Sequence, residues 1–96
     1  MRREEVLTAL SQHRPRLAEL GVKSLRLFGS VARNEASTTS DVDLLVAFDR
    51  SPSFSEFMRL KILLEDLLGG RVDLVTEHGL RARVRPSVER DAVLVA

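Results

Sequence analysis

The sequence contains no cysteine, no tryptophan and no tyrosine, and its apolar residues form no long uninterrupted run. Without cysteine, disulfide bonds and thiolate metal ligands are excluded, which fits a cytoplasmic protein. Without a long apolar run, neither a signal peptide nor a membrane-spanning helix is expected. The formal net charge is only +1. We therefore expect no direct binding to nucleic acid, which usually requires a large basic excess on one face.

The composition that remains describes an ordinary globular protein. The chain has 96 residues, of which 44% are hydrophobic and 30% are charged. Single domains usually contain about 50 to 250 residues, and a chain of this size can bury one core. No repeat, low-complexity tract or linker divides the sequence. We expect a single domain over residues 1–96.

Helical patterns alternate with strand patterns along the chain. Apolar spacing predicts a helix to about His13 and a short second helix that Pro15 opens. Ser53 and Glu56 form a capping-box pattern that opens a third helix, which ends near Leu68 and carries more apolar residues than one face needs. A basic segment, residues 79–90, is predicted to be helical and to break or restart at its proline.

Four short segments are typical of β-strands: residues 24–28, 43–48, 71–76 and 92–95. The second is nearly all apolar, which indicates a strand buried on both faces. The last would close the chain as an edge strand. Together the elements predict an α/β (α+β) fold, a small sheet of three to four strands with helices packed mainly on one side.

Two acidic residues stand where a polar loop becomes the second strand. Side chains alternate along a strand, so Asp41 and Asp43 point to the same face. Two carboxylates so close repel each other, and a divalent cation such as Mg²⁺, which prefers oxygen ligands, would relieve that repulsion. Alternatively, Asp41 caps a turn and Asp43 belongs to a frayed strand end. The pair alone favours this plainer interpretation.

A Gly29–Ser30 turn follows the first strand and precedes a short helix. Its backbone N–H groups and the Ser30 hydroxyl can face an anion, although most such turns are only structural. The order of elements brings this turn and the acidic pair to the same end of adjacent strands. A third acid, Asp73, lies within a strand that we expect to be buried, where it needs either a cation or an ion pair with Arg71 or Arg26.

Three stretches together resemble the minimal nucleotidyltransferase (MNT) domain of the DNA polymerase beta-like superfamily. They are Leu27-Phe-Gly-Ser-Val-Ala-Arg33, Ser40-Asp-Val-Asp-Leu-Leu-Val46 and Val72-Asp-Leu-Val75. The resemblance covers roughly residues 20 to 95. It implies a nucleotidyltransferase fold with a small mixed sheet and a pocket for Mg²⁺ and a nucleoside triphosphate. It also implies pairing with a helical HEPN-type toxin, which some members inactivate by transferring AMP from ATP to a toxin tyrosine.

The resemblance also implies roles for individual residues. Asp41 and Asp43 would hold two Mg²⁺ ions, and Asp73 would bind the ion that activates the acceptor hydroxyl. Gly29 and Ser30 would hold the triphosphate of ATP. For Arg33 two interpretations stay open, a contact with a phosphate or an ion pair with Glu35, whose own role would be to hold the loop.

Other functions and features remain possible at this stage. A binding-only antitoxin would neutralise the toxin by forming a complex, and a small-molecule nucleotidyltransferase would need a further domain to enclose its substrate. His13 and His78 have no spacing typical of metal ligands. A basic face near the C-terminus is either a solvated helix surface or a contact for an acidic partner; it comprises Arg81, Arg83, Arg85 and Arg90.

Overall fold

The computed structural model describes residues 2–35, 41–77, 79 and 85–95. The chain begins with two short helices and then alternates strands with helices. The elements are α1 (Arg3–Ser11), α2 (Arg14–Glu19), β1 (Val22–Phe28), α3 (Gly29–Ala32), β2 (Val42–Phe48), α4 (Phe54–Leu68), β3 (Val72–Thr76), α5 (Arg85–Asp91) and β4 (Val93–Leu94).

The strands form one mixed sheet in the order β3-β2-β1-β4. Strand β1 pairs antiparallel with β2 and with β4, whereas β2 and β3 are parallel. A parallel pair needs a crossover connection, and α4 supplies it. The mixed sheet predicted from the sequence is confirmed, and β4 lies at its edge as expected.

Most of the core lies on one face of the sheet. Leu27 of β1 and Leu44 of β2 point to this face, where Leu60, Leu64 and Leu68 of α4 meet them. These α4 residues recur every four positions, so they line one side of the helix. Helices α1 and α2 complete the same cluster, to which they contribute Val6, Leu10 and Leu17.

The opposite face of the sheet carries a smaller cluster. Phe28 of β1 and Leu45 of β2 pack there against Val88 of α5. The helices therefore lie mainly on one side, as predicted, with α5 alone on the other. Because side chains alternate along β2, Asp43 belongs to the same face as Leu45 and α5.

Local signals in the sequence predict several helix ends correctly. Ser53 Oγ accepts a hydrogen bond from Glu56 N at 3.1 Å, and Glu56 Oε1 accepts one from Ser53 N at 2.9 Å. These two bonds are the capping box that opens α4. Pro15 lies in the first turn of α2, and Gly69 ends α4 with a φ of 69°.

Some boundaries differ from the sequence prediction. Strand β1 begins two residues earlier than expected, at Val22, because Val22 pairs with Phe48 across an irregularity in the register. Of the predicted basic helix, the described part is α5, which starts at Arg85 next to Pro86; residues 80–84 lie outside the described residues. Within the ranges described, no helix has the length and apolar character needed to cross a bilayer.

Candidate active site

Two of the three acids lie side by side on parallel strands. The register of β2 and β3 sets Asp43 directly opposite Asp73. Asp43 is half-buried, whereas Asp73 is exposed, as is Asp41 just before the start of β2. Since residues two apart on a strand share a face, the order of the elements directs all three acids to the face that carries α5.

The Gly29 backbone lies against the Asp43 side chain. Phe28, the last residue of β1, pairs with Asp43, so the turn that follows β1 begins beside this acid. Gly29 has a φ of 75°, and a Cβ atom at this position would overlap Asp43 Oδ2. Only glycine satisfies both conditions, since other residues rarely adopt this backbone conformation.

The turn leads into α3, and hydrogen bonds from residues outside this helix fix its backbone near both ends. The N–H of Glu35 donates to the Ser30 carbonyl at 2.9 Å. From α1, Arg3 Nη1 donates to the carbonyl of Ala32 at 3.3 Å, which satisfies a carbonyl at the end of α3. The half-buried Ser30 therefore belongs to a turn with a defined backbone.

Negative charge is concentrated around Asp43. Burial, together with the carboxylates of Asp73 and Asp41, raises the pKa of Asp43 to about 6, although Arg33 opposes the rise. A carboxylate with these neighbours is more stable when a proton or a metal cation neutralises it. The electrostatics therefore favour a cation beside Asp43.

The expectation that Asp73 is buried is wrong. Asp73 is exposed because it lies on an edge strand and points away from the main core, into which the neighbouring Val72 and Leu74 pack. An edge position leaves one side of the strand open to water, so Asp73 does not need a buried partner. The alternative ion pair is absent as well: among the ion pairs of the described residues, none joins Asp73 to Arg71 or to Arg26.

The predicted group of three metal ligands is not assembled in the structure. In the part of the chain that the structure describes, no three side chains of histidine, cysteine, aspartate or glutamate are grouped to hold one ion. The residues nevertheless fit Mg²⁺ in kind, because Asp43 and Asp73 offer only oxygen ligands in a negative environment. The metal-binding roles of Asp41, Asp43 and Asp73 stay predictions.

Known proteins share both the sequence and the fold of this chain. The sequence profile of the Nucleotidyltransferase domain matches residues 5–95. The chain belongs to this nucleotidyltransferase family. A relative from Thermococcus cleftensis, named protein adenylyltransferase MntA, is 43% identical over 93 residues, which cover 96% of this chain and 94% of the relative. The family and the enzyme class predicted from the sequence are thereby confirmed.

Solved structures place the chain among nucleotidyltransferases by fold. One, assigned to a minimal nucleotidyltransferase, is 46% identical and has a TM-score of 0.79, with 97% of this chain and 95% of that chain covered. A chain from the complex of a tri-AMPylated HEPN toxin of Shewanella oneidensis with an MNT antitoxin has a TM-score of 0.60 at 18% identity. There 91% of this chain and 70% of that chain are covered.

In this nucleotidyltransferase, Arg33 is engaged by two carboxylates. Its Nε donates to Glu35 Oε2 at 3.0 Å, and its Nη1 donates to Asp91 Oδ2 at 2.6 Å. The pairing with Glu35 is one of the two interpretations left open by the sequence; a phosphate contact stays a prediction. Asp91 was not singled out from the sequence, because it lies at the end of α5, far from every motif.

One groove of the nucleotidyltransferase lies away from the acids. It has a volume of about 700 Å³ and opens where β2 and β3 end and α4 begins, with Phe48, Phe54 and Thr76 in its lining. Asp41, Asp43 and Asp73 lie toward the opposite ends of these strands. We therefore locate the chemistry by the acids and the turn, not by the size of the groove.

Only some of the remaining sequence features lie within the described residues. The His13 ring binds the carbonyl of Ala9 through Nδ1 at 2.8 Å, so it belongs to the junction of α1 and α2. His78 lies outside the described residues, as do Arg81 and Arg83 of the basic face. The other two members, Arg85 and Arg90, are exposed on α5.

Proposed function

We propose that this chain is a Mg²⁺-dependent protein adenylyltransferase that acts as an antitoxin. It would transfer AMP from ATP to a hydroxyl group, a tyrosine in our proposal, of a cognate HEPN-type toxin in the cytoplasm. The observation that carries the proposal is the contact between the Gly29 turn and Asp43, beside Asp73. An anion-binding turn next to paired carboxylates can hold a triphosphate together with its metal ions.

The relatives support a protein as the acceptor and a HEPN-type protein as the partner. The archaeal relative is named a protein adenylyltransferase and matches almost the whole chain, which supports a protein as the acceptor. The fold shared with a chain of the HEPN toxin complex is compatible with the same kind of partner. The absence of tyrosine from this sequence adds a constraint, because any tyrosine that is modified must belong to another protein.

Each site residue has a defined task in this proposal. Ser30 and the amides around Gly29 donate hydrogen bonds to the phosphates. Asp41, Asp43 and Asp73 would hold two Mg²⁺ ions, which would supply charge neutralisation and lower the pKa of the acceptor hydroxyl. The hydroxyl oxygen bonds to the α-phosphorus, the bond to the bridging oxygen breaks, and pyrophosphate leaves with that electron pair while the hydroxyl proton passes to solvent.

The test is a transfer assay with three components. The purified chain is incubated with Mg²⁺, ATP labelled at the α-phosphate and the HEPN-type protein encoded beside it, and mass spectrometry then locates the label. We expect AMP on a tyrosine of the HEPN-type protein and none when Asp43→Asn replaces the parent. A complex that neutralises the toxin without label would instead identify a binding-only antitoxin, and label on this chain alone would contradict the proposal.

A further inference from the structure

One ion pair connects α3, the short helix after the Gly29–Ser30 turn, to the C-terminal helix α5. Arg33, the residue that ends α3, donates to Asp91 at the end of α5, and the two residues are 58 positions apart in the sequence. Asp91 also accepts a bond from Arg90 Nε at 3.0 Å. Helix α5 packs on the face of the sheet that carries the acids. The ion pair therefore connects α5 to the short helix that follows the Gly29–Ser30 turn.

The stability of α5 does not explain an acid at position 91. The C-terminal end of a helix carries a partial negative charge, so an acid there is unfavourable and a basic residue is preferred. The Asp91 side chain is only 5% exposed, compared with 33% for Arg33. A carboxylate shielded from water to this extent needs strong partners. The ion pairs with Arg33 and Arg90 therefore explain why an acid is tolerated at position 91.

Arg33 is placed to act on the nucleotide. It lies one helical turn beyond Ser30, and its positive charge lowers the pKa of Asp43, so its field reaches the acids. A guanidinium group has five N–H donors, and the bonds to Glu35 and Asp91 are made through Nε and Nη1. Arg33 can therefore keep both bonds and still donate to a phosphate.

We infer that Asp91 is a positioning residue of the nucleotide site, which holds Arg33 in the orientation from which its guanidinium donates to the triphosphate. The inference rests on the proposed function, since it needs ATP at the Gly29–Ser30 turn. An arginine that is already held loses less conformational freedom when the nucleotide arrives than one that moves freely in solvent. Asp91 would thus strengthen nucleotide binding without touching the nucleotide.

The experiment measures the affinity of the full chain for Mg²⁺·ATP by calorimetry, together with its thermal unfolding without nucleotide. We expect Asp91→Asn to raise the dissociation constant about three- to tenfold. Arg33→Gln should weaken binding at least as much. In the Arg33→Gln background, Asp91→Asn should have no further effect, because Asp91 acts through Arg33.

Arg90→Gln is the matched control. It removes the other arginine from Asp91 and leaves the bond to Arg33 in place, so the affinity should equal that of the parent. Asp91→Glu keeps the charge and should restore most of the affinity lost in Asp91→Asn. If Asp91→Asn does not fold, Asp91→Glu and Arg33→Lys test the same pair, with a smaller expected loss of affinity in each.

The possible outcomes separate this inference from the proposed function. If the parent itself does not bind Mg²⁺·ATP, the proposed function fails. If the parent binds and Asp91→Asn binds equally well or more tightly, only the inference about Asp91 is overturned. A lower unfolding temperature with unchanged affinity would also overturn it, since that result describes a purely structural link between α3 and α5.

Discussion

Gly29 lies so close to the Asp43 carboxylate that even a methyl group at position 29 would overlap Asp43 Oδ2. The contact follows from the register of the sheet, because Phe28 pairs with Asp43 and the turn begins at the next residue. It brings the backbone amides of the turn and a carboxylate oxygen to one place. A triphosphate and the cation that accompanies it need this combination of donors and acceptors.

The Gly29→Ala variant tests whether this contact matters for nucleotide binding. Alanine at a φ of 75° is strained, and its methyl group would displace Asp43. We expect the strain to cost about 1–2 kcal/mol of unfolding free energy, and the overlap to cost about 1 kcal/mol or more in addition. Denaturant unfolding measures the loss of stability, and calorimetry should show that Mg²⁺·ATP binding is lost.

Gly69→Ala is the matched control for the backbone strain. Gly69 has a φ of 69°, and a Cβ atom there would meet nothing within 4 Å. This variant should lose only the free energy that belongs to the strained backbone, with nucleotide affinity unchanged. Equal losses of stability and equal nucleotide affinities in the two alanine variants would show that the contact with Asp43 does not contribute to nucleotide binding.

Asp43→Asn should make the protein more stable at high pH when no metal is present. The folded-state pKa of Asp43 is about 6, raised above the ordinary value of 3.8, so the fold favours the protonated carboxyl. That contribution is complete below the unfolded-state pKa and is lost as the pH rises through about 6. The neutral amide avoids this loss, so we expect Tm to rise by about 2–5 °C at about pH 8, after allowance for solvent screening of a half-exposed group.

The same variant should gain much less at about pH 4, where most of the loss has yet to occur. Thermal unfolding in a metal chelator at both pH values measures the difference. Asp49→Asn, an exposed aspartate just beyond the other end of β2, is the control and should not show the pH-dependent gain. A gain of the same size at both pH values would mean that charge repulsion at Asp43 is not its cause.

Features that depend on nearby residues could be predicted from the sequence. The capping box of Ser53 and Glu56 spans three positions, and the turn at Gly29 is fixed by a glycine that follows a strand. The alternation of Asp41 and Asp43 needs only the periodicity of one strand. These local rules predicted the strands, the main helices and the neighbourhood of the turn and Asp43.

Features that depend on the arrangement of distant elements could not be predicted. Asp73 was expected to be buried because Val72 and Leu74 flank it, but strand order decides exposure and β3 is at the edge. The pair of Arg33 and Asp91 joins the ends of two helices, and no periodic pattern connects them. Such a contact becomes visible only when α5 packs on the sheet.

Removing the N-terminal cap of α4 tests a purely structural part of the fold. Ser53→Ala deletes the oxygen that accepts a hydrogen bond from Glu56 N. We expect a loss of about 1 kcal/mol in unfolding free energy, which denaturant unfolding detects. Ser51→Ala, at an exposed position before the helix, should cost almost nothing. Because α4 begins far from the acids, neither variant should change the affinity for Mg²⁺·ATP; a change would show that the cap also shapes the site.

Asp73→Asn should separate nucleotide binding from the chemical step. In the proposed mechanism Asp41 and Asp43 share the ion that carries the triphosphate, whereas Asp73 serves the ion at the acceptor hydroxyl. Asparagine keeps the shape of the side chain but removes its charge. We therefore expect Mg²⁺·ATP to bind within several-fold of the parent affinity, while single-turnover transfer to the toxin slows by about a hundredfold or more.

The exposure of Asp73 simplifies this comparison, because replacing an exposed charge on an edge strand should preserve the fold and should not lower its Tm. Asp66→Asn, an exposed aspartate on α4, is the control and should match the parent in affinity and in rate. If Asp73→Asn transfers AMP at nearly the parent rate, Asp73 is an ordinary surface acid of β3. In that case the catalytic assignment would rest on Asp41 and Asp43 alone. The pairing of Asp43 with Asp73 across β2 and β3 would then have no part in the reaction.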